Sequence, residues 1–156
     1  MSGSEGAAAL TDEQRRYLGE HTLAVVGTGR RDGTPQLSMV SYHFDGADVA
    51  ISVQRSSAKW RNARRLPRAT LLVPDGRTQL VIEGRIDLVE SDPDRAALTR
   101  RVREAVRFGE LPADDVEFAR LLDSEGRVVL RIVPTGAIQG FPLYPIRPPA
   151  RSCCWA

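Results

Sequence analysis

A chain of 156 residues, 42% apolar and 27% charged, is long enough for one cored domain and too short for two. A net charge of +2 excludes binding of polyanions by bulk electrostatics, and no apolar run approaches the ~20 residues of a membrane-spanning helix. The two cysteines, Cys153 and Cys154, are adjacent and form neither a disulfide framework nor a metal site, and the N-terminus lacks a secretory signal, so a reducing, cytoplasmic setting is expected.

In chain order, residues 1–10 read as a flexible arm. Thr11 is placed to cap a helix to about Gly19, with Asp12 and Glu13 favourable in its first turn. Residues 23–29, LAVVGTG, predict a strand, and Asp32-Gly33 a hairpin turn. The next strand spans 35–45. Its alternation puts Gln36, Ser38, Val40, Tyr42 and Phe44 on one face and Leu37 and Met39 on the other, so one face is polar at one end and apolar at the other. Such a strand covers core at one end and meets a polar ligand at the other. Asp45-Gly46 turns into a strand over 49–54.

The stretch 52–73, SVQRSSAKWRNARRLPRATLLV, organises the rest. A short basic helix is expected from Ala58 to Leu66, stopped by Pro67, with a strand over 69–73. Serines stand at its start, where the first N–H groups have no intrahelical partner and the dipole favours an anion. Lys59, the only lysine in the sequence, stands in its first turn. Arg55, Lys59, Arg61, Arg64, Arg65 and Arg68 lie within fourteen residues with no acid among them. Two readings stand side by side: a solvated helix with incidental charge, and a seat for an anionic ligand.

Asp75-Gly76 turns into a fifth strand, 78–90, with Leu80, Ile82, Gly84, Ile86 and Leu88 on one face and Gln79, Val81, Glu83, Arg85 and Asp87 on the other. Three Asp-Gly turns describe an antiparallel meander that closes into a barrel. Two helices follow, one opened by Ser91-Asp92-Pro93 and ending near Gly109, the other over 112–123; a sixth strand covers 127–133. The domain is bounded at 11–140, and 141–156 form a proline-rich tail carrying Phe141, Tyr144 and Trp155, which either lies over a partner or pocket mouth or frays.

No constellation of catalytic side chains emerges. His43 is the one histidine within a strand, a general acid or a packed residue, and it has no partner in triad spacing. Gly27-Thr28-Gly29 fits a turn better than a dinucleotide loop, and no cluster has metal spacing. An anion seat without catalytic side chains suits a protein whose chemistry is carried by a bound cofactor. Basic residues interleaved with Trp60 alone do not suit a nucleic-acid stacking surface.

The segments GTPQLSMVSYHFD, SSAKWRNARRLPRATLLV and TQLVIEG together resemble the split-barrel flavin and deazaflavin proteins of the pyridoxamine 5′-phosphate oxidase-like superfamily, and within it the actinobacterial branch that uses the deazaflavin F420. The resemblance spans about residues 12–140. It implies a mostly β fold, a six-stranded antiparallel split barrel with peripheral helices, and a homodimer with cofactor sites at the interface. It implies that Lys59 holds the cofactor phosphate, with Ser57, Arg61 and Asn62 at neighbouring positions of the motif. Gln36, Ser38 and Val40 resemble the strand beside the flavin-like ring, and Gln79 the glutamine of the motif Q-V-R-V-E-G. In place of the arginine that usually precedes the lysine, this chain has Ala58, for which Arg55 or Arg61 would compensate. The tail lacks the motif with which true oxidases recognise a pyridoxal-type substrate. The implied activity is an F420-dependent oxidoreductase acting on a small, conjugated organic molecule, with FMN as the alternative cofactor, or a non-catalytic binder of either. Six clustered cations suit F420, whose phosphodiester and oligoglutamate tail spread several negative charges, better than the single compact phosphate of FMN.

Overall fold

The computed structural model describes residues 10–140. Helix α1 (Asp12–Glu20) opens with a capping box: Thr11 accepts from the Gln14 N–H while the Gln14 side chain accepts from the Thr11 N–H. Strands β1 (Leu23–Gly29), β2 (Pro35–Ser41), β3 (His43–Phe44) and β4 (Val49–Gln54) follow. Helix α2 (Ala58–Arg65), strands β5 (Arg68–Asp75) and β6 (Thr78–Val89), helices α3 (Asp94–Ala105) and α4 (Asp115–Ser124), and strand β7 (Arg127–Gly140) complete the fold. No helix among the described residues is long and apolar enough to cross a membrane.

All strands belong to one antiparallel sheet in the order β2-β1-β5-β6-β7-β4-β3. Seven strands stand where six are expected, because the second predicted strand is divided at Tyr42. There the backbone leaves β1: the Tyr42 N–H donates to Thr22 O, and the buried side chain donates its hydroxyl to Leu18 O at 2.8 Å. Beyond Tyr42 the chain pairs with β4 instead. The two edge strands of the sheet, β2 and β3, are therefore one nearly continuous segment, and the sheet must curl for them to meet. That is a split barrel. It is not the simple meander expected from the turns: β1 pairs with β5 and β4 with β7 across long crossovers. Asp-Gly hairpins form the local links, as at Gly33, whose φ of 84° suits a residue without a Cβ.

Alternation sorts the side chains. Ala24, Val26, Ile51, Leu71, Leu80, Ile82, Leu130 and Ile132 turn inward and are buried, with Leu18 of α1 and Trp60 of α2 closing the core. Trp60 is thus an anchor for the basic helix. Leu10, the last residue assigned to the N-terminal arm, is also buried; the rest of that arm and the 141–156 tail lie outside the described residues. Strand β6 carries a bulge at Glu83/Gly84, where β7 approaches too closely for a side chain. Helices α3 and α4 are tied to β7 by Arg95. Its guanidinium donates to both carboxylate oxygens of Asp92, to Asp123 Oδ1 at 2.8 Å and to the Arg127 carbonyl. These bonds keep a buried charge satisfied.

Candidate functional site

Helix α2 has the start that its sequence calls for. Ser57 is the N-cap and accepts from the Trp60 N–H, leaving the first turn, with Lys59, open to an anion. Lys59 lies on the wall of a cavity of about 420 Å³ formed between α2, β2, β4, β7 and the end of α3. Met39, Val40, Ser52, Gln54, Ser57, Arg103 and Arg127 are among the residues around it. A larger cavity, about 800 Å³, separates α3 from α4, but none of the candidate residues lines it.

Electrostatics single out the first cavity. Burial pushes the Lys59 ammonium below the ordinary lysine range, and the Arg127 guanidinium pushes it further the same way. No carboxylate of the described residues pairs with Lys59. Arg103 and Arg127 share one acid, Glu125: Arg103 Nη2 bonds its Oε2, while Arg127 Nε lies 3.4 Å from the same oxygen without hydrogen-bond geometry. Among the described residues, three cations thus line the cavity, and Glu125 serves two of them. The Ser52 hydroxyl and Arg127 Nε, both buried, find no partner within the described protein. Buried polar atoms in folded proteins are rarely left so.

Among the candidate residues, Val40, Ser57 and Lys59 line this cavity together. Three others form a polar chain that braces α2 against β2. Asn62 Nδ2 donates to Thr28 Oγ1 at 3.2 Å, Thr28 donates to Gln36 Oε1 at 3.4 Å, and Gln36 Nε2 donates to Ser38 Oγ at 2.7 Å. Arg55 is engaged by Glu90, and Arg61 donates to the carbonyl of Ser56; neither lines the cavity. Gln79 stands on the outer face of the sheet, exposed. His43 also lies off the cavity wall, its Nε2 buried without a partner.

The further cations on the cavity wall, Arg127 and Arg103, come from β7 and α3. Neither was a candidate in the sequence. Arg127 arrives because it opens β7 opposite Gln54 at the end of β4, a pairing across more than seventy residues of chain. Only the strand order could have revealed it.

The family model described as pyridoxamine 5′-phosphate oxidase matches residues 10–138. The fold is similar to that of the conserved hypothetical protein Rv2991 from Mycobacterium tuberculosis, with a TM-score of 0.69 and 23% identity over 83% of this chain and 84% of that one. It is similar also to a structure described as F420 reductase, at 0.64 and 23% identity over 83% and 98%. A third likeness is to HutZ, the heme storage protein from Vibrio cholerae, at 0.62 and 18% identity over 85% and 96%.

Proposed function

The chain belongs to the pyridoxamine 5′-phosphate oxidase family, and on that premise we propose that it is an F420-dependent oxidoreductase acting on a small, conjugated organic substrate. The observation that carries the proposal is Lys59: a half-buried ammonium without a carboxylate partner among the described residues, in the first turn of a serine-capped helix, on a cavity wall with two further cations. Such a site is incomplete without an anion.

The residues present fit the group. Lys59 and the first N–H groups of α2 would hold a phosphate, with Ser57 fixing the helix start. Arg127 and Arg103 extend the positive field along the cavity, which suits the several dispersed charges of F420. The chain Asn62–Thr28–Gln36–Ser38 would keep β2 at a fixed distance from the phosphate seat, so that the ring lies along that strand. Met39, Val106 and Phe108 offer apolar cover that excludes water. When bound, F420 supplies the hydride chemistry, and the protein contributes placement and electrostatics.

A second copy of the chain would complete the site. One row of outward side chains, Met39, Val25, Leu72, Val81 and Ile138, crosses five neighbouring strands in register and is wholly apolar. Met39 and Ile138 are 66% and 64% exposed, and Leu37, on the same face of β2 as Met39, is 64% exposed. A stripe of that kind marks an interface. Met39 belongs both to the stripe and to the cavity wall, so a homodimer through this face would bring the partner to the mouth of the cavity.

FMN at the same seat is the second reading, since its single phosphate needs only the Ser57-capped helix start and Lys59. Titration with F420 and with FMN, side by side and followed by fluorescence, tests the choice: tighter F420 binding supports the proposal, and tighter FMN binding replaces it. Tight F420 binding with no turnover on a panel of conjugated substrates would make the protein a carrier instead.

A further inference from the structure

One wall of the Lys59 cavity ends in an unusual turn. Helix α3 closes with Arg107 at φ 52°, a left-handed conformation that residues with a Cβ seldom adopt. The Arg107 N–H bonds Glu104 O at 3.1 Å, and the Phe108 N–H reaches back to Arg103 O at 2.9 Å, so the strained residue is fixed from both sides. Its effect is to fold Phe108 back over the helix it follows. The Phe108 ring then lies 4.9 Å from the Arg103 guanidinium, itself buried and held by Glu125. One face of the ring is covered by that cation. Yet Phe108 remains 62% exposed, on the cavity wall, with Val106 and the exposed Met39 as neighbours.

A large aromatic with one face on an immobilised cation and the rest open is a platform. The turn closes the last carbonyls of α3 as a helix cap, and in doing so it sets the position of this ring. We propose that Phe108 is the specificity-determining residue of the cavity, stacking against a flat, uncharged conjugated ring of the substrate while Met39 adapts to its edge. The stack would run Arg103, Phe108, substrate. Offset stacking of two flat rings rewards planarity, whereas a puckered ring of the same size and polarity keeps only apolar contact. A methionine lining the same cavity tolerates rings of different outline, so the selection is for flatness more than for shape. The inference deepens the proposed function by naming its substrate class, and rests on that reading for the word substrate.

The test uses a matched pair, 2-naphthalenemethanol and its decahydro analogue, which share a skeleton and an alcohol hydroxyl of similar acidity and differ in planarity. Binding is measured by calorimetry on the full-length protein without cofactor. Wild type is expected to prefer the flat compound by about fivefold to tenfold, the worth of one aromatic stack. Phe108→Ala should abolish the preference, and Phe108→Trp should restore it. Absence of any preference in wild type, or its survival in Phe108→Ala, overturns the proposal. Thermal midpoints of the variants separate a folding defect from a lost stack, since Phe108→Trp restores ring preference only if the aromatic itself is responsible. Failure of the cofactor reading shows elsewhere, in F420 titrations of Lys59→Ala, and leaves the ring preference as measured.

Discussion

Lys59 is held against two opposing effects, burial and the like charge of Arg127, and both lower its hold on a proton. A bound phosphate relieves both. Binding should therefore take up protons wherever the free ammonium is partly discharged. Because the shift is downward, the charged form is disfavoured in the free fold, and folding stability is gained as pH rises through the depressed value toward the unfolded one. Affinity for an anion runs the other way: it is full below the depressed value and is lost as pH rises through it. Calorimetry of F420 binding in buffers of different ionisation heat, across the alkaline range, should show net proton uptake. Equal heats in all buffers would contradict the assignment. The same scale explains why Ser57 and Lys59 were legible as a site while Arg127 was not. Cap and lysine lie within three residues, whereas Arg127 becomes a neighbour only through the β4–β7 pairing.

At the scale of elements, α1 is fastened to the β5–β6 turn by one histidine. His21 Nδ1 lies 2.7 Å from Tyr17 O and Nε2 lies 3.0 Å from Asp75 Oδ2, two acceptors that only the imidazolium satisfies together. Burial pulls its proton affinity down, but the bond to Tyr17 O and the Asp75 carboxylate outweigh it and leave the pKa above the ordinary imidazole value. A raised folded value gives stability that is present below the unfolded pKa and lost as pH rises through the folded one. The thermal midpoint should fall from mildly acidic to mildly alkaline pH, and His21→Gln should flatten that slope; an unchanged slope would remove the clamp. The β6–β7 contact is steric. A Cβ at Gly84 would stand 2.4 Å from Ile132 Cγ2 and 2.8 Å from Val133 O, so Gly84→Ala should cost about 2 kcal/mol in denaturant unfolding. A loss below a few tenths would mean that β7 yields there. Element identities followed from period and punctuation: four helices and the strands at 23–29 and 49–54 lie where apolar spacing, caps and Asp-Gly turns put them. The division at Tyr42 did not, since alternation continues through it and only the change of partner strand breaks the run. Nor did the extension of β7 to Gly140, which β6 supports by pairing along its whole length.

For the whole molecule, the curled sheet has a filled inner face and an outer face whose apolar row runs unbroken from Met39 to Ile138. Its two ends on the sheet are the most exposed, which is what the proposed dimer face calls for. Sedimentation velocity should find a dimer, and Ile138→Asp, which sets a charge at one end of the proposed contact, should give folded monomers. A monomeric wild type would leave the stripe without that role. Because Met39 joins the stripe to the cavity, the monomeric variant should also bind F420 more weakly. The central claim is the seat at the start of α2, and it is tested most directly by F420 fluorescence titration of wild type against Lys59→Ala. A charge-assisted phosphate contact is worth about 1.5–3 kcal/mol, so the account predicts a loss of about ten- to hundredfold in affinity. Equal affinity in the two proteins would contradict it.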